Sequence, residues 1–275
     1  MKRIITLSLV FIILVSLAAC TSNDKSKIDP NKTTNEITFK RASIVDNDKC
    51  SIRILRIDPN PSHINNEMAL KVAYQNKTED TSYYFSLQAV SVNGVNIKPA
   101  SGETVPAGET VKADISIFQN DIDLYSDIGL TFQMKPTDSG DSETIIFDTA
   151  HIYPYGEEKA NKFTRQAQKE DILLLDTPEV KLIKTDVVSD ENWTYINMYI
   201  ENKTDHIISI KSTSSSIYSG TVIEPGNSAF GSFTFPTDDI KDIQEGELEI
   251  LVYDLGISEW TYGDLLVNET VKLTF

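Results

Sequence analysis

Cysteine, histidine and positive charge are all scarce in this 275-residue chain, which holds two Cys, three His and 25 Lys plus Arg against 41 Asp plus Glu. Each shortage excludes something. Cys20 ends an apolar leader whose pattern gives it another role, so Cys50 is expected to have no partner. Without a disulfide framework, stability must come from packed apolar cores. Cys50 sits beside an alternating apolar run and reads as a small buried group rather than a nucleophile. His63, His151 and His206 lie too far apart to form a helical or hairpin metal motif, so no metal site is expected. No Gly-x-Ser-x-Gly elbow, His-Glu-x-x-His pair or Gly-rich phosphate loop occurs, and neither catalysis nor a cofactor is expected. A formal net charge of −16 repels phosphate backbones, which excludes nucleic acid as a partner.

Acid is plentiful, and it clusters. Asp138, Asp141 and Glu143 fall in one short stretch, and oxygen ligands of that kind suit calcium. The EF-hand spacing is missing, however, and a solvated hairpin tip accounts for the same residues. Asp190-Glu191-Asn192 and Asp238-Asp239 read the same way. Four Asn-x-Thr sequences, at Asn76, Asn192, Asn202 and Asn268, are read as turns.

At the start, Lys2 and Arg3 precede an apolar run from Ile4 to Leu17, and Leu17-Ala18-Ala19-Cys20 closes it with small residues. A charged start, an apolar middle and a small-residue end make a secretory signal. The run is shorter than the roughly 20 residues a spanning helix needs. Because a cysteine ends it, the segment resembles a bacterial lipoprotein signal. That resemblance implies a diacylglycerol thioether on Cys20, cleavage just before it, and a chain anchored to the outer side of the cell membrane. Residues 1–19 are then the signal peptide. Residues 20–41, rich in Ser, Asn, Thr, Lys and Asp, form a lipidated flexible tether with too few apolar groups to bury a core.

The remainder repeats itself. Met68, Leu70, Val72, Tyr74 and Asn76-Lys77-Thr78 recur 126 positions later as Thr194, Ile196, Met198, Ile200 and Asn202-Lys203-Thr204. An offset of 118 then takes over, matching Val105-Pro106-Ala107-Gly108 to Ile223-Glu224-Pro225-Gly226. Period-two alternation through these runs predicts strands with one buried face, and Asn93-Gly94 predicts a two-residue hairpin. Asp121 to Tyr125 and Asp238 to Ile243 break the alternation and are expected to be single helical turns. The strand count predicts an all-β fold of two tandem sandwiches, 42–153 and 172–275, joined by a linker at 154–171. In the linker, Ala160, Phe163 and Ala167 suit the apolar side of a short exposed helix. The strand, Asn-Lys-Thr turn, strand, Pro-Gly turn order resembles the disulfide-free immunoglobulin-like modules common in Gram-positive lipoproteins, a resemblance that implies a fold but no activity.

The copies differ on one face. Ile196, Met198 and Ile200 point one way, so Trp193, Tyr195 and Tyr199 point the other, where the first copy has Glu67, Ala69 and Ala73. Aligned aromatics of this kind either bind a sugar, peptide or protein partner or pack on the linker or the first module. The expectation is a lipid-anchored binding or scaffolding protein with a protein or glycan ligand. The alternatives are an accessory subunit docked to an envelope enzyme or transporter and, more weakly, a hydrolase.

Overall fold

Alternating apolar runs with Gly, Pro and Asn punctuation fold as strands over most of the described residues. A computed structural model describes residues 36–59, 67–97, 102–118, 122, 124–138, 144–212, 216–218, 222–240, 242–243, 245–258 and 261–274. The signal with Cys20, His63, and the loop holding Asp141 and Glu143 lie outside them.

The first half carries β1 (Ala42–Asp46), β2 (Cys50–Pro59), β3 (Glu67–Asn76), β4 (Tyr83–Val92), β5 (Val95–Ile97), β6 (Gly102–Val105), β7 (Thr110–Phe118), β8 (Ile128–Pro136), β9 (Ile145–Ile146) and β10 (Ala150–Ile152). The second carries β11 (Ile172–Asp176), β12 (Val180–Ser189), β13 (Trp193–Asn202), β14 (Ile208–Ser212), β15 (Ser216–Tyr218), β16 (Val222–Ile223), β17 (Ser228–Pro236), a one-turn helix α1 (Thr237–Ile240), β18 (Glu245–Ser258) and β19 (Thr261–Thr274). Of the two expected helical turns, α1 forms. The other lies partly outside the described residues, and 124–127 are not helical.

In the first half β1-β2-β3-β7 make one sheet and β10-β8-β4-β5 the other. The β3–β7 and β4–β8 pairings join strands that are not sequence neighbours, as a Greek key requires. Leu70, Val72 and Tyr74 of β3, Ile52 and Ile54 of β2, and Ile115 and Ile117 of β7 face Phe85, Leu130, Phe132 and Met134 across a single core. Cys50 is fully buried within it. Burial pushes its thiol up to about 11, which keeps it protonated and inert at neutral pH.

The second half repeats most of this pattern, except that β15 pairs with β17, where the matching end of β4 pairs with β8. Its sheets run β11-β12-β13-β17 and β16-β14-β18-β19 around Leu182, Ile196, Met198, Phe233, Ile250 and Val252. Even the irregularities recur: β1–β2 shifts between Ser43 and Val45, β11–β12 between Leu173 and Leu175, β2–β3 between Ile54 and Arg56, and β12–β13 between Lys184 and Asp186. Each shift bends its strand at the same place in both halves and increases the local twist there.

The Asn-Lys-Thr turns are more than turns. Asn76, almost wholly buried, donates its amide to the carbonyls of Thr81 and Val105 at 2.7 and 3.1 Å and accepts from the Thr78 N–H and hydroxyl. Asn202 does the same with His206, Ile223, Glu224 and Thr204. Each amide ties the end of one sheet to the opposite sheet. Lys77 and Lys203 close the corner by pairing with Asp46 and Asp176.

Between the halves the linker departs from the expected helix. A three-residue 3-10 turn at Glu157–Lys159 ends at Ala160, whose φ of −58° and ψ of 132° are extended. Tertiary partners capture the backbone from there on. Asn161 N–H donates to Ser126 Oγ at 3.0 Å and Phe163 N–H to the Asn93 carbonyl at 2.7 Å. The segment is a strap laid over both halves. Beside it β5 and β17 pair in parallel, Val95 with Ser228 and Asn96 with Ala229, so one sheet runs through as β10-β8-β4-β5-β17-β13-β12-β11. Asn93 and Gly94, with φ of 51° and 79°, form the expected hairpin at this junction.

Candidate binding site

Strand parity places the three aromatics of β13 as expected, on the face away from Ile196, Met198 and Ile200. Register sets their neighbours: Val188 and Thr234 flank Tyr195, Ile183 and Phe230 flank Tyr199, and Pro236 lies beside Trp193. The structure nevertheless divides this face in two.

At the joint end Tyr199 is 6% exposed. Its ring lies 5.3 Å from Phe230, which meets Phe163 of the strap at 6.1 Å, and the Arg165 guanidinium sits 5.4 Å from the Tyr199 centroid. Burial raises the Tyr199 phenol above its ordinary value. Arg165 is held by a two-pronged bond to Asp171 at 2.5 and 2.6 Å, and that pairing depresses Asp171 to about 2. A cleft of about 280 Å³ remains between strap and sheet, lined by Lys162, Arg165, Tyr199, Lys203, Asn227 and Ser228. Its cations are engaged: Lys162 with the Gly226 carbonyl at 2.5 Å, Arg165 with Asp171, and Lys203 with Asp176.

The opposite end is open. Trp193 is 43% and Val188 50% exposed, with Tyr195 partly covered between them. The Asp190 carboxylate accepts the N–H groups of Asn192 and Trp193, each at 2.8 Å. Those backbone bonds, with a further one from the Tyr195 hydroxyl, hold Asp190 below the usual carboxylate range. Thr237 N–H donates to the Asn192 carbonyl at 2.9 Å and its hydroxyl to the Asp190 carbonyl at 3.2 Å, which brings α1 against the hairpin. Asp190, Glu191, Asp238, Asp239 and Asp242 are all exposed. In the first half the matching face is a charged cleft of about 270 Å³ lined by Arg56, Asp58, Glu67, Lys71 and Asp114, with Arg56–Asp58 and Lys71–Asp114 pairs at 3.4 and 3.3 Å.

The two described histidines, His151 and His206, each meet a neighbouring carboxylate. His151 pairs with Asp127 at 2.7 Å and stacks near Tyr153, while His206 lies beside Asp205. No group of three His, Cys, Asp or Glu residues that could hold a metal occurs among the described residues.

Sequence reasoning missed Glu224. Its side chain, 3% exposed, reaches from the second half into the first and accepts from the Thr131 and Thr149 hydroxyls at 2.7 and 3.4 Å and from Asn227 at 3.0 Å. Its N–H donates to Asn96 Oδ1 at 3.0 Å. The available signal was a difference between copies, since Pro106 occupies the matching turn position.

No family model matches the chain, and no curated protein matches it. Among solved structures it is similar to red sea bream transglutaminase, at 13% identity over 83% of this chain and 31% of that one, with a TM-score of 0.24. The 7S globulin of Momordica charantia matches at 9% identity over 86% of this chain and 81% of that one, with a TM-score of 0.12. Likenesses this weak carry no argument about fold or activity.

Proposed function

We propose that this is a lipid-anchored, extracytoplasmic binding or scaffolding protein without catalytic activity, attached through Cys20 and built from two immunoglobulin-like modules. The observation that carries the reading is Trp193. A solvent-facing strand position has no need of an indole left 43% exposed, and aromatic residues of this kind commonly anchor interfaces. The ligand is a protein or glycan met outside the membrane. The Lys-Arg start, the apolar run and Cys20 support the anchor, because two acyl chains hold a protein where one does not.

Two measurements test this. Cys20→Ala should leave the protein as unprocessed precursor or release it from the membrane fraction, and unchanged maturation with unchanged detergent partitioning overturns the anchor. Full-length chain used as bait against a cell-envelope extract should retain a stoichiometric protein or a glycan that Trp193→Ala loses. Equal retention by both overturns the binding face.

A further inference from the structure

The open end of the second half brings together two kinds of surface. One is apolar: Trp193 and Val188, with Tyr195 between them in the strand register. Opposite Tyr195 on β17 lies Thr234, 7% exposed, whose hydroxyl has no partner among the described residues. A buried hydroxyl left unsatisfied is costly, and it lies on the same sheet face as the aromatics. The other surface is acidic. Asp190 and Glu191 occupy the hairpin turn, Asp238 and Asp239 occupy α1, and the Thr237 bonds hold the two elements together. From Asp186 to Trp193 and from Pro236 to Glu245 the sequence carries seven carboxylates and one cation, Lys241, while farther along β18 Glu247 lies opposite Lys272.

This combination selects a partner. The carboxylates repel anionic envelope polymers and lipid headgroups, and a neutral ligand gains little from so many charges. A cation gains twice. It is attracted by the acidic rim, and it can sit on the face of an exposed indole, the best of the aromatic platforms for a guanidinium or ammonium group.

We propose that this tip is the docking surface for a partner protein presenting an Arg- or Lys-rich segment, with one cationic side chain on Trp193 and its neighbours against Asp190, Glu191, Asp238 and Asp239. The inference names the partner class for the binding role above and rests on that reading. The rim sets encounter rate and salt dependence, and the indole sets residence time.

The test uses full-length chain in detergent and a fluorescent deca-arginine peptide, followed by anisotropy at low and high salt. Trp193→Ala should weaken binding by about tenfold or more, the loss expected for an aromatic anchor, while Trp193→Phe keeps most of it. The pair Asp238→Asn with Asp239→Asn should weaken binding and flatten its salt dependence. The pair Glu79→Gln with Glu109→Gln removes two exposed carboxylates beside the Asn76 corner, at the far tip of the first half, and should change nothing. Unaltered binding by Trp193→Ala, or an equal loss from the two carboxylate pairs, overturns the proposal in favour of diffuse attraction to an acidic protein. If Trp193→Ala loses an envelope glycan or a second copy of this chain while the Asp238/Asp239 pair retains it, the binding role stands and the cationic partner falls.

Discussion

Truncating Tyr199 to Ala tests whether the strap truly covers the sheet. The ring is 6% exposed, 5.3 Å from Phe230 and 5.4 Å from the Arg165 guanidinium. Removing an aromatic ring from a closed core costs about 3–5 kcal/mol. Tyr199 borders an open cleft that can partly refill with water, so about 2–3 kcal/mol is expected here. For a chain of this size, each kcal/mol lowers Tm by about 2–4 °C. Melting should therefore drop by about 4–12 °C, followed by circular dichroism in the β region. Tyr199→Phe keeps the ring and its contacts and should stay within about 1 kcal/mol of the parent. Trp193→Ala, at a site open to water, should cost less than Tyr199→Ala despite removing a larger side chain. Limited trypsin digestion adds a local readout, because Lys162 and Arg165 lie in the strap and should be cut faster once Phe230 and Arg165 lose the ring. A Tyr199→Ala protein that melts with the parent and resists trypsin equally would mean that the strap does not rest on β13 in solution.

Asn76→Ala and Asn202→Ala should each cost about 2–3 kcal/mol in urea denaturation, because each strands buried carbonyls on the opposite sheet; a large cost at one corner and none at the other would refute their equivalence. Glu224→Ala should loosen the joint by removing the buried carboxylate that accepts from Thr131, whose hydroxyl then keeps only its 2.7 Å bond with Thr149, and calorimetry should then resolve two transitions where the parent is more nearly cooperative. For pH, Asp171 is held near 2 by Arg165, below its unfolded value of about 3.9. Its stabilising effect is therefore complete above the unfolded value and is lost as pH falls through the folded one. The protection of strap amides, measured against the intrinsic exchange rate at each pH, should fall between those values, and Asp171→Asn should abolish that change; an identical profile in the variant would assign the effect to other carboxylates.

What could be read from the residues was whatever repeats or alternates. Met68, Leu70, Val72 and Tyr74 declare their buried face through spacing alone, and the offsets of 126 and 118 recover β3 with β13 and β7 with β17. The orientation of Trp193, Tyr195 and Tyr199 followed from the same parity. Their separate fates did not, because covering Tyr199 depends on Phe163 and Arg165, more than thirty residues away along the chain. The linker misled for a physical reason: Ala160, Phe163 and Ala167 have helical spacing, but the carbonyl of Asn93 and the hydroxyl of Ser126 offer its N–H groups better partners than a lone exposed helix does. Asn76 and Asn202 were visible as turn residues. Their reach across the sandwich was not, since the bonds that matter span 29, 21 and 22 residues.

The Glu224 bond also gives the joint a direction. It links the two halves through unlike surfaces, a heterologous contact that no symmetry of its own closes. At the outer tip of the first copy the position of Glu224 is taken by Pro106, which has no carboxylate to offer. On the second copy the position of Thr131 is taken by Glu249, whose charge would meet an incoming glutamate with repulsion instead of a hydroxyl. Neither side of the contact recurs at the matching outward position, so the bond is particular to this joint and to these two partners.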